Sequence, residues 1–345
     1  MAQWPGRLGQ FHESDMQTHQ TRHRIVFLDR GVFPFDLKRP RFPHQWVEFL
    51  TTRQEDVVDR LRGATILITN RLRIGRAELE KLPELQMIAV AATGYDQIDV
   101  AACREFGVVM SNLRGWCDCS VSEHVFAMAL ALRRNLAEHG RIARDGTWQR
   151  STAGSLLYTP PARDLCGDTI GIVGLGGIGK RVAGVAEAFG MKVLIAERKG
   201  AASIRPGRVE FPLVLQRSDI VSLHCPLNAA TRGLIGKEEL ERMKPDAILI
   251  NCARGELVDD AALAEALSAR AIGGAGLDGL ENEPPQAGNP LLRVPYANLL
   301  ITPHVAWASD QAIEEFRQQL VDNLEAFAAG TPRNRVALAQ AGKSR

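Results

Sequence analysis

Gly174-Leu-Gly176-Gly177-Ile178-Gly179 follows directly on the apolar run Ile170–Val173 and opens a stretch, 180–189, with a helical pattern. Each glycine in such a loop has its own use. Gly174 permits a tight turn out of the strand, Gly176 lets backbone approach a pyrophosphate, and Gly179 lets the helix pack closely on the strand. The helix start, with Gly177 and Ile178 in it, then offers free N–H groups and the positive end of a dipole to the phosphates. Glycines at this spacing are weak evidence alone. With a strand before them, a helix after them and an acid about 20 residues on, they specify a dinucleotide site. The acid is Glu197, at the end of the next apolar run, where a carboxylate accepts hydrogen bonds from the adenosine ribose hydroxyls. A carboxylate repels a 2′-phosphate, so Glu197 favours NAD(H). Arg198 and Lys199 follow it, can bind that phosphate, and leave NADP(H) open. Further along, Asn251-Cys252-Ala253-Arg254-Gly255, Glu283-Pro284 and Pro303-His304 each come after another strand candidate. Ligands of an open α/β sheet bind outside the carboxyl ends of its strands, so Arg254, Glu283 and His304 can converge on one rim.

The elements that position these residues read as two α/β blocks. In the first, strand signals lie at 25–28, 65–69, 87–91 and 108–111, with helix-like stretches at 45–61 and 76–81 between them. Alternation of this kind argues for a parallel sheet covered by helices. Ser120 and Glu123 have the capping-box spacing and are expected to open a strong helix that runs through 124–132, with Arg133 and Arg134 at its positive-charge-tolerant end. A loop-rich stretch, 140–168, reads as an arm or linker. The second block offers six strands at 169–173, 192–196, 220–223, 247–251, 274–277 and 299–302, and a closing helix at 310–329. Six strands with helical crossovers make a doubly wound sheet.

Composition narrows the class. The 345 residues give room for two domains, and 45% hydrophobic content fills their cores. A net charge of +2 without a dense basic run excludes a nucleic-acid footprint. No run approaches the roughly 18 apolar residues that span a bilayer, and the start lacks a signal-peptide pattern. The six cysteines, at 103, 117, 119, 166, 225 and 252, lack disulfide-framework spacing. They are expected to be buried or partly buried thiols of a cytoplasmic, reducing compartment. Cys117-x-Cys119 could ligate a metal but has no matching second pair nearby, so no metal is expected. Residues 1–24 carry no periodic pattern and read as a disordered tail, or as an upstream start before Met16.

Taken together, 174–179, His224-Cys225-Pro226-Leu-Asn228, 251–255, Gly276-Leu-Asp278, Glu283-Pro284 and Thr302-Pro-His304 resemble the D-isomer-specific 2-hydroxyacid dehydrogenases, over about 25–335. Ser120–Val125 and His304-Val-Ala-Trp307 are most similar to the glycerate dehydrogenase/hydroxypyruvate reductase branch. The resemblance implies a Rossmann cofactor domain at 119–304, inserted in a flavodoxin-like substrate domain made of 25–118 and 305–345. It implies a catalytic trio of Arg254, Glu283 and His304. Arg254 presents a planar, permanently charged fork to the substrate carboxylate and keto oxygen. His304 exchanges a proton with the substrate oxygen, and Glu283 holds the imidazole. Asp278 resembles the acid that holds the nicotinamide carboxamide. Cys225, Pro226, Thr231, Cys252 and Ala253 resemble the walls of the nicotinamide and ribose pocket. Thr93 and Gly94 resemble the loop whose backbone grips the substrate carboxylate, and Trp307 a wall of that pocket. Partners implied are a small 2-keto or 2-hydroxy acid and a second copy of the chain, met through the helix after Ser120 and the arm 140–168; no nucleic acid and no membrane are expected.

Three departures stand out. Gly177 replaces a larger residue, often Arg, and would loosen the phosphate grip. Gly279-Leu280 replaces a more usual Val-Phe pair. Glu281 rivals Glu283, which is preferred because the family's acid directly precedes the proline. The expected activity is reduction of hydroxypyruvate or glyoxylate. A second reading, an NAD-sensing corepressor-like scaffold, shares the trio but lacks support from any long tail or peptide-docking extension.

Overall fold

The computed structural model describes residues 23–152, 154–155, 163–294 and 298–336. Two compact units emerge. One holds 23–90, 99–111 and 322–336 of the described residues, the other 91–98 and 112–321.

In the first unit, β1 (His23–Phe27), β2 (His44–Glu48), β3 (Ile66–Thr69), β4 (Met87–Val90) and β5 (Val109–Ser111) form an all-parallel sheet in the order β2-β1-β3-β4-β5. That is the flavodoxin-like order. Every residue of β3 and β4 is buried, as strands covered on both faces must be, which is why they read as unbroken apolar runs. Short helices α1 (Val57–Leu61), α2 (Arg76–Leu79) and α3 (Val100–Glu105) make the crossovers. Two expectations fail here. His23 and Arg24, assigned to the tail, begin β1; residues 1–22 lie outside the described residues. The helix expected at 45–61 is an edge strand, β2, followed by a loop and the single-turn α1. Its residues, His-Gln-Trp-Val-Glu, are partly aromatic and β-branched, types that suit a half-exposed pleated strand, and Pro43 blocks a helix from starting upstream.

In the second unit, β6 (Thr169–Val173), β7 (Lys192–Ile195), β8 (Ile220–Leu223), β9 (Ile248–Asn251), β10 (Gly274–Asp278) and β11 (Leu299–Thr302) form a parallel sheet, ordered β11-β10-β9-β8-β6-β7. Val209 pairs with Ala196 in a single parallel bridge beyond β7. It stands where the third strand of the 3-2-1-4-5-6 dinucleotide-binding order stands, shrunk to one residue. Helices α4 (Asp118–Arg133), α5 (Leu136–Arg144), α6 (Gly177–Ala188), α7 (Phe211–Arg217), α8 (Lys237–Arg242) and α9 (Asp260–Ser268) belong to this unit. So does most of α10 (Asp310–Ala328), whose last residues group with the first unit. Core side chains lie on both faces: Val214, Leu223, Leu249 and Leu263 in one cluster, Val125, Ile172, Val182 and Ile250 in the other.

The capping box at Ser120 does not form. Helix α4 starts earlier, with Asp118 in its first turn, where a carboxylate suits the dipole. Ser120 Oγ instead lies 2.6 Å from Ser309 Oγ, and Glu123 is exposed. Arg133 stands in the last turn of α4, as expected, and is buried, with its Nη2 donating to Asp168 Oδ2 at 2.6 Å. Part of the expected loop 140–168 is helical, in α5. Cys119 and Cys166 are exposed, against the expected burial of all thiols. Among the described residues no helix is long and apolar enough to cross a membrane.

Candidate active site

The glycine loop is built as a phosphate cradle. Gly174 sits at φ +100°, a conformation that L side chains rarely adopt, and a Cβ there would overlap the backbone of His224 and Cys225. A Cβ on Gly179 would overlap the Gly174 carbonyl, so α6 can approach β6 only with glycine at that position. Gly176, the N-cap of α6, supplies no side-chain cap, and the space where its Cβ would point is open. The first-turn N–H groups of a twelve-residue helix therefore face room for an anion. These residues fit a dinucleotide pyrophosphate. Ile178 is half-buried and packs on the core behind the loop.

Gly177 has a specific neighbour. A Cβ there would overlap the Asp118 carboxylate, at the start of α4. The space that a larger residue would occupy in this loop is thus filled by an acid, and burial pushes the Asp118 carboxyl up from its ordinary range. Asp118 escaped the sequence reading. The one available signal was Gly177 itself, whose missing side chain asks what stands in its place.

Glu197 follows β7 and is buried. Its Oε1 accepts from Arg198 N at 2.8 Å and from Arg205 Nη2; its Oε2 accepts from Arg205 Nε at 2.7 Å and Arg205 N at 3.2 Å. The Arg205 guanidinium holds the Glu197 carboxyl far below the usual carboxylate range. Lys199 Nζ lies 2.9 Å from Glu239, and the Arg198 residue is exposed. In the loop after β8, Thr231 Oγ1 donates to the Pro226 carbonyl at 2.7 Å and so ties its own loop. Cys225 and Cys252 are half-buried thiols; burial pushes Cys225 up to about 11 and Cys252 higher still, which leaves them poor nucleophiles. Ala253 is half-buried beside Cys252.

The second cluster joins Glu283, His304 and Asp278. His304 Nδ1 lies 2.9 and 2.8 Å from the two carboxylate oxygens of Glu283. Its Nε2 makes no hydrogen bond among the described residues, and the side chain is 31% exposed, so one edge of the ring is held and the other is open. Glu281 is exposed instead. Gly279, at φ +110°, explains the loss of a side chain at that position: a Cβ would overlap Glu283 Oε1 and reach 3.7 Å from His304 Nδ1. His304 itself has φ +55°, rare for a non-glycine residue and typical of residues held at functional sites. Three bonds to Asp278 hold that turn. Asp278 Oδ1 accepts from Thr302 Oγ1 at 2.6 Å and from Val305 N at 2.8 Å, and Oδ2 from Ala306 N at 2.8 Å. All three donors belong to the segment that carries His304.

Arg254 stands after β9. Asn251 Nδ2 donates to its carbonyl at 2.7 Å, and its own Nη1 donates to the Ala253 carbonyl at 3.0 Å. Its Nε donates to Asp96 Oδ1 at 3.1 Å, with the two side chains 26% and 27% exposed. A Cβ on Gly94 would overlap the guanidinium, so glycine is what lets Arg254 lie against the 93–96 loop. That loop also reaches the histidine. Trp116 Nε1 donates to Thr93 Oγ1 at 2.9 Å, Trp116 and Trp307 have ring centroids 5.8 Å apart, and Trp307 Nε1 donates to the His304 carbonyl at 2.9 Å. Thr93, Gly94, Arg254, Trp307, His304 and Glu283 are thereby linked through contacts within one unit. Asp96 and Trp116 were absent from the sequence reading.

The arrangement supplies an anion cradle, a guanidinium and an imidazole with one free edge. Comparison with known proteins accords with that chemistry. Residues 126–306 match the family model described as D-isomer specific 2-hydroxyacid dehydrogenase, NAD binding domain. The chain is 43% identical to glycerate dehydrogenase of Methylorubrum extorquens, covering 90% of this chain and 98% of that one. Among solved structures it is similar to an NADPH-dependent glyoxylate/hydroxypyruvate reductase of Sinorhizobium meliloti in complex with NADP and malonate, at TM-score 0.78 and 28% identity, covering 92% of this chain and 97% of that one. It is also similar to a D-lactate dehydrogenase of Aquifex aeolicus complexed with NAD and lactic acid, at TM-score 0.73 and 27% identity, covering 89% and 96%.

Proposed function

The chain belongs to the D-isomer specific 2-hydroxyacid dehydrogenases, NAD(P)-binding oxidoreductases, and from that premise we propose that it reduces hydroxypyruvate or glyoxylate to the corresponding hydroxy acid, with NAD(H) as the cofactor. The observation that carries the reading is the His304–Glu283 pair, with both carboxylate oxygens on Nδ1 and Nε2 left for a substrate. The relatives named glycerate dehydrogenase and glyoxylate/hydroxypyruvate reductase support the choice of substrate.

Each residue has a task that its chemistry suits. Arg254 takes the substrate carboxylate and carbonyl oxygen on its fork of N–H donors, which orients the molecule and polarises the C=O bond. Backbone at Thr93 and Gly94 closes on the same carboxylate, and Trp307 walls the pocket. The bound nicotinamide supplies the hydride. As the carbonyl carbon gains that hydride, the C=O π pair moves onto oxygen, and His304 Nε2 gives it a proton. Glu283 accepts from Nδ1–H throughout, which fixes the ring orientation and stabilises the imidazolium that forms on oxidation of the hydroxy acid. The loop 174–179 would hold the pyrophosphate, Cys225, Pro226, Thr231, Cys252 and Ala253 the ribose and nicotinamide walls, and Asp278 the carboxamide. By residue type alone, Glu197 at the end of β7 favours NAD(H) over NADP(H).

A homodimer accords with the apolar groups left open on the arm and on the helix that leads into it, where Trp148 is 48% and Leu136 55% exposed. Six free thiols accord with a cytoplasmic setting. The test of function is loss of NADH absorbance with hydroxypyruvate, glyoxylate, pyruvate and 2-ketogluconate in parallel. Fast oxidation with either of the first two is expected. Fast turnover of pyruvate or 2-ketogluconate alone would reject the assignment of substrate, and turnover of none would reject the reductase reading.

A further inference from the structure

The adenosine end of the cofactor site contains a contradiction between residue type and geometry. By type, Glu197 is the acceptor for a ribose diol. By geometry it has nothing left to accept with. An ionised carboxylate offers about four lone-pair positions. Four N–H donors fill them here: Arg198 N, Arg205 N, Arg205 Nε and Arg205 Nη2. The carboxylate side chain is 2% exposed while the Arg205 side chain above it is 50% exposed. A ligand arriving at the end of β7 meets the arginine, not the acid.

The surrounding loop leans the same way. Residues 197–208 bulge between β7 and the bridge that Val209 makes with Ala196. Arg198 is exposed on this bulge, and Arg208 Nη1 is fastened to the Ala196 carbonyl at 2.9 Å, at the strand end itself. Lys199 is drawn off to Glu239. One acid against Arg198, Arg205 and Arg208 leaves the local charge positive.

We propose that Arg205 sets the selectivity for the cofactor's 2′ position: clamped on Glu197, it covers the carboxylate and presents its remaining N–H groups, with Arg198, to a 2′-phosphate, so that the site takes NADPH as well as NADH. A guanidinium has five N–H donors in a planar fork, and the clamp leaves Nη1 and one edge of Nη2 for phosphate oxygens. For a ribose diol, Arg205 must swing off the acid to expose it. Arg205 is thus a gate on the acid and a ligand for the phosphate at once. The inference rests on the dinucleotide reading of loop 174–179 and deepens it.

The two roles give opposite effects in one variant, which a merely structural arginine would not. Dissociation constants for NADH and NADPH are measured without substrate, from the change in cofactor fluorescence, on the wild type, Arg205→Ala and Arg205→Gln. Gln keeps a donor for Glu197 without the charge, so it reads the proposal if the Ala variant fails to fold; a thermal melt checks both. In the wild type, NADPH should bind within about tenfold of NADH, a gap of about 1.4 kcal/mol. In both variants NADPH should weaken and NADH tighten, shifting the ratio by roughly tenfold or more in favour of NADH. An unchanged ratio in folded variants overturns the proposal, as does wild-type NADPH binding more than about a hundredfold weaker than NADH. Binding of neither dinucleotide by the wild type would overturn the reading of the glycine loop, and this inference with it.

Discussion

The two ends of the second sheet use the same residue types for opposite purposes. At the amino ends of its strands, Asp168 precedes β6, Asp219 precedes β8 and Asp246 stands just before β9. Arg133, Arg163 and Lys244 bond them to one another: Arg133 to Asp168 at 2.6 Å, Arg163 to Asp168 at 2.9 Å and Asp219 at 3.2 Å, Lys244 to Asp219 at 2.9 Å. Asp219 is held below the usual carboxylate range, although burial opposes it, because Thr169 N and Lys244 bond it. At the carboxyl ends, by contrast, the imidazole and the guanidinium of the candidate active site are held on one side only. His304 is bonded at Nδ1 and open at Nε2, and Arg254 is bonded through Nε to Asp96 and through Nη1 to the Ala253 carbonyl. A fold gains rigidity where polar groups satisfy each other and gains chemistry where one face of each is left for a ligand.

That contrast is broken most sharply by exchanging the consequences of mutation. His304→Ala removes the proton donor at the open end. Turnover of the 2-keto acid should fall by roughly 10²–10⁴, with the thermal midpoint and NADH affinity nearly unchanged. Retention of wild-type turnover would reject His304 as the acid. Arg133→Met acts at the closed end. It leaves Asp168, whose side chain is 7% exposed, with one partner fewer, and should cost about 3 kcal/mol, near the lower end for breaking a buried pair. A urea titration reads this as a lower midpoint with an unchanged slope. The folded variant should keep its turnover number. A loss of turnover without a loss of stability would mean that the two ends are not functionally separate.

The residues at the closed end were legible only in part, and the reason is physical. Strands β6, β8 and β9 announce themselves because a parallel strand covered on both faces is a short unbroken apolar run. The glycine loop announces itself because its backbone demands are local. Edge strand β2 did not, since half-exposed residues break the run, and its stretch passed for helix. The capping box at Ser120 matched in spacing and failed in space, because Asp118 had already started the helix. The catalytic set came from residue types at strand ends together with the family resemblance. What tunes it did not: Asp96 meets Arg254 across 158 positions of chain, and no local pattern announces such a contact. Arg205 is nearer to Glu197, eight positions on, yet the sequence points to the adjacent Arg198 and Lys199, because adjacency and not geometry is what a sequence displays.

A smaller effect tests whether Asp96 belongs to the open end as a positioning residue. Its Oδ1 accepts from Arg254 Nε at 3.1 Å, so it steers the fork without lying on the far face that the substrate would take. Asp96→Ala should lower kcat/KM by about tenfold, or about 1.4 kcal/mol of transition-state stabilisation. Asp96→Asn keeps an oxygen acceptor and should recover most of that loss. If Asn is as poor as Ala, the negative charge matters and not the placement of the guanidinium. If neither variant differs from wild type, Arg254 is positioned by its own backbone bonds alone.

The smallest effect concerns His224, an ionisable group at the open end that takes no part in the proposed chemistry. Its Nε2 lies 2.8 Å from Ser222 Oγ, and Nδ1 is buried without a partner among the described residues. Burial pushes its pKa from the ordinary 6.5 down to about 4. The sign follows from which state holds the proton. In the folded protein the ring stays neutral, while the unfolded chain takes up a proton once the pH falls below about 6.5. His224 should therefore make stability decline as the pH drops from about 6.5, with the decline levelling off below about 4. Above that window it contributes no slope. His224→Gln keeps a group for Ser222 and removes the titration, so its stability should fall less steeply over the same interval in urea titrations at successive pH values. Parallel curves for the two proteins would show that the imidazole can charge in place. In that case the open end would tolerate a buried cation that only the closed end, with its facing carboxylates, is built to hold.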